Sequence, residues 1–291
     1  MSLIKVKSRG TDNVSSRRNL MVNGAMNVSQ RATSFADPSN DTYTLDRFIA
    51  RKSNDGAVTI TQDSSAPSGF ANSLKVDVTN ADASIGTNQF SMIQHKIEAQ
   101  DLQRLAFGTS SAKNFTLSFY VKSNKTGTYS VNISQSDNSS KQASLTYTIN
   151  SADTWERKSL TFTGDTSGVI NDDNGIGFLV YWVLAVGSTF TSGGSTSATF
   201  QTYANANLGA GHAVNLRRTS DAPDVFVAEA PEVQTHCIRA CGANCSPTAY
   251  LLRPFVHARH VTYPPKTSAD GRIHNLLFLL SNCVAPTDSH S

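Results

Sequence analysis

Apolar and polar residues alternate one by one over much of the middle of the chain. The pattern puts apolar side chains on one face of each segment and polar side chains, such as Ser130 and Asn132, on the other. The alternating apolar positions are Phe115, Leu117, Phe119, Val121, Tyr129, Val131, Ile133, Leu145, Tyr147, Ile149, Leu160 and Phe162. A period of two with one apolar face is typical of strands packed on one side only. With turn residues between them, these strands predict an antiparallel β-sandwich.

Other segments complete this prediction. Residues 177–186 are apolar on both faces, which is typical of a central strand. In 97–107 the apolar positions lie near helical spacing and predict one short helical turn. Alternating runs at 57–62 and 74–78, each beside turn residues, predict two further strands. The fold class is therefore all-β, a sandwich with one short helix.

The composition of the 291-residue chain agrees with this fold class. Only 16% of the residues are charged, and Ser, Thr, Asn and Gly are abundant, which favours short strands and polar turns. The net charge of +3 is too small to indicate a nucleic-acid partner or an anionic membrane. No apolar run approaches the ~20 residues of a membrane span. The common catalytic and nucleotide-binding motifs are absent, so we expect neither an enzyme nor an organic cofactor.

The segment 19–48 carries a string that no periodicity rule explains. It reads Asn-Leu-Met-Val-Asn-Gly-Ala-Met-Asn-Val-Ser-Gln-Arg-Ala-Thr-Ser-Phe over 19–35 and Tyr-Thr-Leu-Asp-Arg-Phe over 43–48. This string resembles the entry of a β-sandwich domain that is common in the tail fibres of tailed bacteriophages, especially marine ones. Ala32 departs from the resemblance, because glycine is common at that position.

Shorter motifs further along look like those of jelly rolls of the carbohydrate-binding-module type, and their order is specific. They lie at 116–123, 126–129, 154–158, 164–166 and 179–182. The likeness covers about residues 19–215. It divides the chain into a linker or the end of a fibre trunk at 1–18, the sandwich at 19–215, and an irregular tail at 216–291.

The resemblance implies a non-enzymatic virion protein, either a tail fibre or another receptor-binding component of a phage tail. Its expected partners are host cell-surface polysaccharide, other phage tail proteins and further copies of the same chain, as a trimer. Two other roles stay open: a purely structural tail module, and the binding module of a carbohydrate-active enzyme. Host-cell binding would separate the adhesin from the structural module, and sugar release would favour the enzyme.

Aromatic side chains provide the candidate ligand-binding residues. Tyr120, Trp155 and Tyr181 are able to stack on a sugar ring by dispersion and CH–π contact. Lys122 shares the outward face of Tyr120 and is able to donate hydrogen bonds to sugar hydroxyls. Trp182 stands among apolar residues, so we expect it in the core.

Charged residues offer a second group of candidates. Asp165, Asp172 and Asp173 are weak calcium candidates, because carboxylates are the hard oxygen ligands that this ion prefers. A polar turn with local hydrogen bonds is the simpler interpretation of the same residues. Asp46 and Arg47 belong to the entry string, and we interpret them as a structural salt link or hydrogen-bond pair.

The tail after Leu216 differs from the rest in composition. It holds all four cysteines, and it lacks the ending expected of the resembling fibre domain. A shifted reading frame would explain both, since the codons of 237–241 displaced by one nucleotide are able to encode Ala-Phe-Glu-His. The sandwich would then lack its last strand. The alternative is a small zinc or disulfide module around His236, Cys237, Cys241 and Cys245, but the Cys-x3-Cys-x3-Cys spacing is not that of common zinc sites.

Overall fold

A computed structural model of the chain describes residues 19–80, 82, 84–137, 141–194 and 196–214, and the backbone of 224–228. All of them lie in the first of two compact units, Met1–Arg239. The predicted linker at 1–18 lies outside the described residues. The tail also lies outside the described residues, except for 224–228. Its candidate zinc residues are among those not described.

The described chain forms two antiparallel sheets, so the predicted antiparallel sandwich is confirmed. The first sheet has the order β1 (Ser34–Ala36), β4 (Ala57–Asp63), β5 (Ser73–Asn80), β13 (Asp224–Ala228), β7 (Phe115–Ser123) and β10 (Glu156–Phe162). The second sheet has the order β12 (Ser197–Thr202), β9 (Lys141–Ile149), β8 (Gly127–Gln135), β11 (Ile176–Val186), β6 (Phe90–Glu98), β3 (Phe48–Ser53) and β2 (Thr42–Tyr43).

The predicted helical turn and central strand are also confirmed. The turn is a 3₁₀ helix at Ala99–Leu105, and β11 lies between β8 and β6 in the second sheet. Two shorter 3₁₀ helices follow at Ser188–Phe190 and Asn205–Asn207. No helix among the described residues is long and apolar enough to cross a membrane.

The core lies between the two sheets and is built from the alternating apolar positions. Trp182 is fully buried there, as predicted, with its ring centroid 6.3 Å from that of Phe48 and 6.2 Å from that of Phe119. A cluster of phenylalanines, including Phe107, Phe115 and Phe178, fills one end of the core. Each buried aromatic side chain contributes on the order of 2 kcal/mol through the apolar surface it removes from water.

The outer face of the second sheet departs from the prediction of one-sided packing. Parts of the segment 187–214 that lie on either side of β12 fold back over it, and Leu208, Phe190 and Tyr203 from these parts form a second small core with Met92 and Val183. Ser130 and Asn132, expected at the surface, are therefore fully buried. Their polar neighbours under this cover are satisfied by hydrogen bonds, as when Gln142 Nε2 donates to the Ala204 carbonyl at 2.7 Å and Ser144 Oγ to the Asn207 carbonyl at 2.8 Å. The alternation correctly predicted which side chains point away from the main core. It did not predict that a later segment of the chain would cover them.

The entry segment is an irregular plug held by side chains. Leu20, Met21 and Met26 are buried in the core. Asn23 donates from Nδ2 to the carbonyls of Val28 at 2.8 Å and Asp46 at 2.9 Å, and its Oδ1 accepts from the Val28 amide at 2.9 Å. Its φ of 61° is a conformation that asparagine tolerates better than most residues, which explains its place in this string.

Asp46 and Arg47 both make structural contacts, but not with each other. Asp46 Oδ2 accepts from the Gln30 amide at 2.7 Å, and its other oxygen lies 3.7 Å from Arg31. Arg47 pairs with Glu98 at 3.0 Å. The expectation of an Asp46–Arg47 pair is therefore corrected. Arg47 has a φ of 73°, a left-handed backbone conformation at the start of β3.

His95 connects the entry segment to the second sheet. Its ring is fully buried and packs edge-on against Phe48 at 5.0 Å. Its Nε2 lies 3.1 Å from the Val22 carbonyl, and because a carbonyl only accepts, Nε2 carries the proton. Burial lowers the pKa of His95 to about 4, and the nearby charge of Arg47 acts in the same direction. The folded protein therefore requires the neutral imidazole.

The first sheet extends beyond the predicted boundary at residue 215. Strand β13 lies between β5 and β7, with Val225 opposite Val76 and Val227 opposite Val121. The change in cysteine, histidine and proline content predicts a boundary near 215, but the short run Asp-Val-Phe-Val-Ala beyond it is rich in strand-forming residues. The frameshift hypothesis implied a sandwich without its last strand. In the structure, β13 occupies a place in the first sheet between β5 and β7.

Replacing Phe226 with proline should destabilise the sandwich by about 3 kcal/mol or more, because proline removes a backbone N–H from a strand paired on both sides. Urea unfolding of the full chain would measure the loss. Phe226→Val, which keeps the N–H, is the matched control. Equal stability of the proline and valine variants would show that β13 does not pair as described.

Stability should fall as the pH drops from about 6.5 to about 4. The unfolded chain then binds protons at His95 that the folded chain does not, which costs up to about 3 kcal/mol. His212 adds to this loss, since burial also lowers its pKa to about 4. Urea unfolding at several pH values would measure the slope. The variant His95→Gln keeps a donor for Val22 and should reduce the slope to the part that His212 contributes, whereas an unchanged slope would contradict the assignment.

Candidate functional site

The outer face of the first sheet carries a ladder of paired hydroxyl groups along β7 and β10. Thr116 lies opposite Thr161 with their Oγ1 atoms 2.9 Å apart, and Ser118 lies opposite Ser159 with the same Oγ–Oγ distance. Each pair bonds across the strands on the side away from the core. This face is therefore polar up to the level of Tyr120.

Aromatic side chains gather at the end of this ladder. We call Phe70, Tyr120, Lys122 and Trp155 the aromatic cluster. The rings of Tyr120 and Phe70 are 5.8 Å apart at 58°, and Lys122 Nζ lies 5.3 Å from the centre of the Trp155 ring. Lys122 also donates to Ser65 Oγ at 2.9 Å. All four members are half-buried, so part of each stays open to solvent.

Local structure explains why these side chains meet. Tyr120 and Lys122 are two residues apart on β7, so they point the same way while Phe119 and Val121 point into the core. They stand about 7 Å apart along the strand. Trp155 comes from the turn that leads into β10, the neighbouring strand.

Three of the four predicted ligand residues are therefore neighbours, and one aromatic side chain was missed. Phe70 follows a tight turn in which its amide donates to the Pro67 carbonyl at 3.1 Å and Gly69 has a φ of 92°. In the sequence these residues look like an ordinary turn. The available signal was the phenylalanine itself, an apolar residue directly after a Pro-x-Gly turn.

Tyr181, the fourth predicted residue, lies on the other sheet. It stands on β11 opposite Gln94 and Asn132 and packs against the small core under residues 187–214. Burial raises the pKa of its hydroxyl. Tyr181 is therefore separate from the aromatic cluster.

The Asp165 carboxylate is held in an ion pair. Lys141 Nζ lies 2.8 and 3.0 Å from its two oxygens, and Gln135 Nε2 and the Ser167 amide donate to it at 3.0 and 2.9 Å. Burial by itself would raise the pKa of Asp165, but the hydrogen bonds from Lys141, Ser167 and Gln135 outweigh it and hold the pKa at about 2. The charge is stable because each oxygen has donors.

The other calcium candidates do not join Asp165. Asp173 accepts from the Gly175 amide at 2.8 Å, which is the local turn bond that the simpler interpretation expects, and Asp172 is exposed. Within the described part of the chain, no three His, Cys, Asp or Glu side chains are placed to share a metal ion.

Comparisons with known proteins give only weak similarities. No protein-family model and no curated protein matches the chain. A putative sugar binding protein from Bacteroides thetaiotaomicron is similar in structure with 13% identity and a TM-score of 0.41, covering 75% of this chain and 100% of that one. The family 11 carbohydrate-binding module of a Clostridium thermocellum cellulosomal cellulase has 13% identity, a TM-score of 0.33, and covers 67% and 91%.

A phage protein also shows similarity. Tailspike protein 4 of bacteriophage CBA120 has 15% identity and a TM-score of 0.30, covering 50% of this chain and 20% of that one.

Replacing Lys141 with methionine should destabilise the fold by about 3 kcal/mol, because it leaves the buried Asp165 carboxylate without its cation. The difference in unfolding free energy between variant and wild type should shrink as the pH falls from about 3.8 towards about 2. Asp165 takes up a proton first in the variant and then in the wild type, and a neutral carboxyl group no longer needs the cation.

The control is Arg47→Met, which breaks the more exposed pair with Glu98 and should cost less than about 1 kcal/mol. Urea unfolding of both variants would measure the difference. Equal losses in the two variants would show that the Asp165 pair is no stronger than a surface ion pair.

Proposed function

We propose that the protein binds glycans through the aromatic cluster on the outer face of the first sheet. The observation that carries the proposal is the convergence of three aromatic rings and one ammonium group, all partly open to solvent, at the end of a hydroxyl ladder. Sugar rings have apolar C–H faces edged by hydroxyls. A surface that combines aromatic faces with hydrogen-bonding groups matches both properties.

Each member of the cluster has a role in this proposal. Trp155 and Tyr120 would stack against C–H faces of successive sugars. Lys122, held near Trp155 and bonded to Ser65, would donate to sugar hydroxyls or ring oxygens. Phe70 supports Tyr120 from one side and limits its rotamers. Ordering these groups before the ligand arrives reduces the entropy lost on binding.

We further propose that this binding attaches a phage to host surface polysaccharide, with the chain as a non-enzymatic component of a tail fibre. The support is the entry string, whose resemblance to fibre domains spans residues 19–48. In the structure that string builds the plug of Asn23 and the buried Met26, so its unusual residues have structural duties. The chain would sit in the virion beside other tail proteins.

Oligomerisation would raise the strength of attachment. A small open cluster gives weak binding at each copy, and three copies in a trimer would engage a repeating polysaccharide together. Such linked sites increase the overall affinity by on the order of 10²–10⁴-fold without any new contact. A repeating glycan is the ligand for which this arrangement is most effective.

Trp155→Ala and Tyr120→Ala should each weaken glycan binding by at least about tenfold, since solvent-edge aromatics that stack on a ligand carry much of the binding energy. The measurement is binding of the labelled full chain to an array of neutral bacterial polysaccharides, and to host cells with and without their surface polysaccharide. Val169→Ala, which shortens an exposed apolar side chain outside the aromatic cluster, is the control.

The results separate the possible roles. Unchanged binding by the Trp155 and Tyr120 variants, with unfolding temperatures equal to wild type, would refute the assigned surface. No binding to any polysaccharide or cell would favour a structural tail module. Release of sugars from a bound polysaccharide would favour a carbohydrate-active enzyme.

A further inference from the structure

A second surface with sugar-binding chemistry lies on the other side of the sandwich. Tyr43 on β2 stands opposite Ile49, and Ile49 stands opposite Gln94, so all three face outward from the second sheet. Lys96, two residues after Gln94 on β6, points to the same side. Tyr43 is the exposed member, at 38%, whereas Ile49 is fully buried beneath its neighbours.

Two cations flank the Tyr43 ring. Arg31 Cζ lies 5.2 Å from the ring centre and Lys96 Nζ lies 5.7 Å from it. Both distances are within the range of cation–π attraction, which holds the flexible side chains in place. We call Arg31, Tyr43 and Lys96 the tyrosine edge. It lies beyond the segment 187–214, which covers other parts of this sheet.

The charges around the tyrosine edge are not balanced. Three neighbouring cations have their own carboxylates, in the pairs Arg47–Glu98, Arg51–Asp41 and Lys52–Asp37. Arg31 has only the longer contact with Asp46, at 3.7 Å. Among the described residues, no carboxylate forms an ion pair with Lys96.

This imbalance has a physical consequence. Two like charges held near one ring repel each other, and the repulsion is larger beside a protein surface than in bulk water. A single anionic group between Arg31 and Lys96 would relieve it and would accept charge-assisted hydrogen bonds from both. A flat apolar face beside that anionic group would rest on Tyr43.

We propose that the tyrosine edge is a second carbohydrate site and that its ligands are sugars bearing a carboxylate, such as uronic acids. The pyranose ring packs on Tyr43, and the carboxylate lies between the Arg31 guanidinium and the Lys96 ammonium. This site differs from the aromatic cluster in position and in charge. A host polysaccharide with both neutral and acidic sugars would be held on two faces of the sandwich.

Tetragalacturonate and tetramannuronate, titrated into the full chain by calorimetry, test the proposal. At least one should bind, and its methyl ester, which has the same shape but no charge, should bind at least about tenfold more weakly. Lys96→Gln and Arg31→Gln should each lower the affinity by about tenfold. Tyr43→Ala should remove measurable binding, whereas Tyr43→Phe, which keeps the ring, should retain it.

Two controls identify the site. Lys113→Gln removes a positive charge elsewhere and should leave the affinity unchanged. Trp155→Ala should also leave it unchanged, because the aromatic cluster lies on the other sheet. No binding of either acid at millimolar concentration, equal binding of acid and ester, or unchanged binding by Tyr43→Ala would overturn the second site. If Trp155→Ala lost binding of the acid while the variants of Arg31, Tyr43 and Lys96 kept it, the second site would also be overturned. That result would support glycan binding at the aromatic cluster.

Discussion

The first sheet is continuous only because β13 pairs with β5 on one side and with β7 on the other. The strands β5 and β7 stand two strand spacings apart, or about 10 Å, so they have no direct pairing to replace it. The aromatic cluster crosses this junction. Phe70 and Ser65 come from the connection between β4 and β5, while Tyr120 and Lys122 come from β7. The candidate site therefore depends on five residues near the end of the described chain.

The outer face of the second sheet is partly covered by a later segment of the chain, whereas the hydroxyl ladder on the outer face of the first sheet is not. On the second sheet, residues on either side of β12 cover polar side chains such as Asn132. Asn132 Nδ2 donates to Gln142 Oε1 and Ser144 Oγ on β9, and Ser144 Oγ donates in turn to the Asn207 carbonyl of the cover. On the first sheet, the hydroxyl ladder has no such cover, and Ser159 and Thr161 are exposed while Ser118 is buried against its partner Ser159. Most buried polar side chains in proteins have partners, and this network provides them for Asn132, Gln142 and Ser144, whereas the buried Ser130 Oγ has none.

Much of the fold was predictable because alternation depends on local sequence alone. The strands around Phe119 and Trp182, the short helix and the buried tryptophan follow from the period of the apolar positions. Tyr120, Lys122 and Trp155 were also expected at the surface, and the pairing of β7 with β10 brings them together. The cover over the second sheet and the place of β13 were not predictable, because both depend on contacts between segments far apart in the chain.

The same distinction explains which candidate side chains were misjudged. Tyr181 was a candidate for stacking on a sugar, but its surroundings are set by a segment that follows it in the chain. Tyr43 belongs to the entry string, but a tyrosine in a polar turn region has no periodic signal that would indicate a ligand surface. Its neighbour Lys96 is 53 positions away in sequence, and the pairing of β2 with β3 and of β3 with β6 brings the two strands that carry them into one sheet. Both proposed ligand surfaces therefore lie where no later segment covers a strand, and their location depends on the topology more than on any motif.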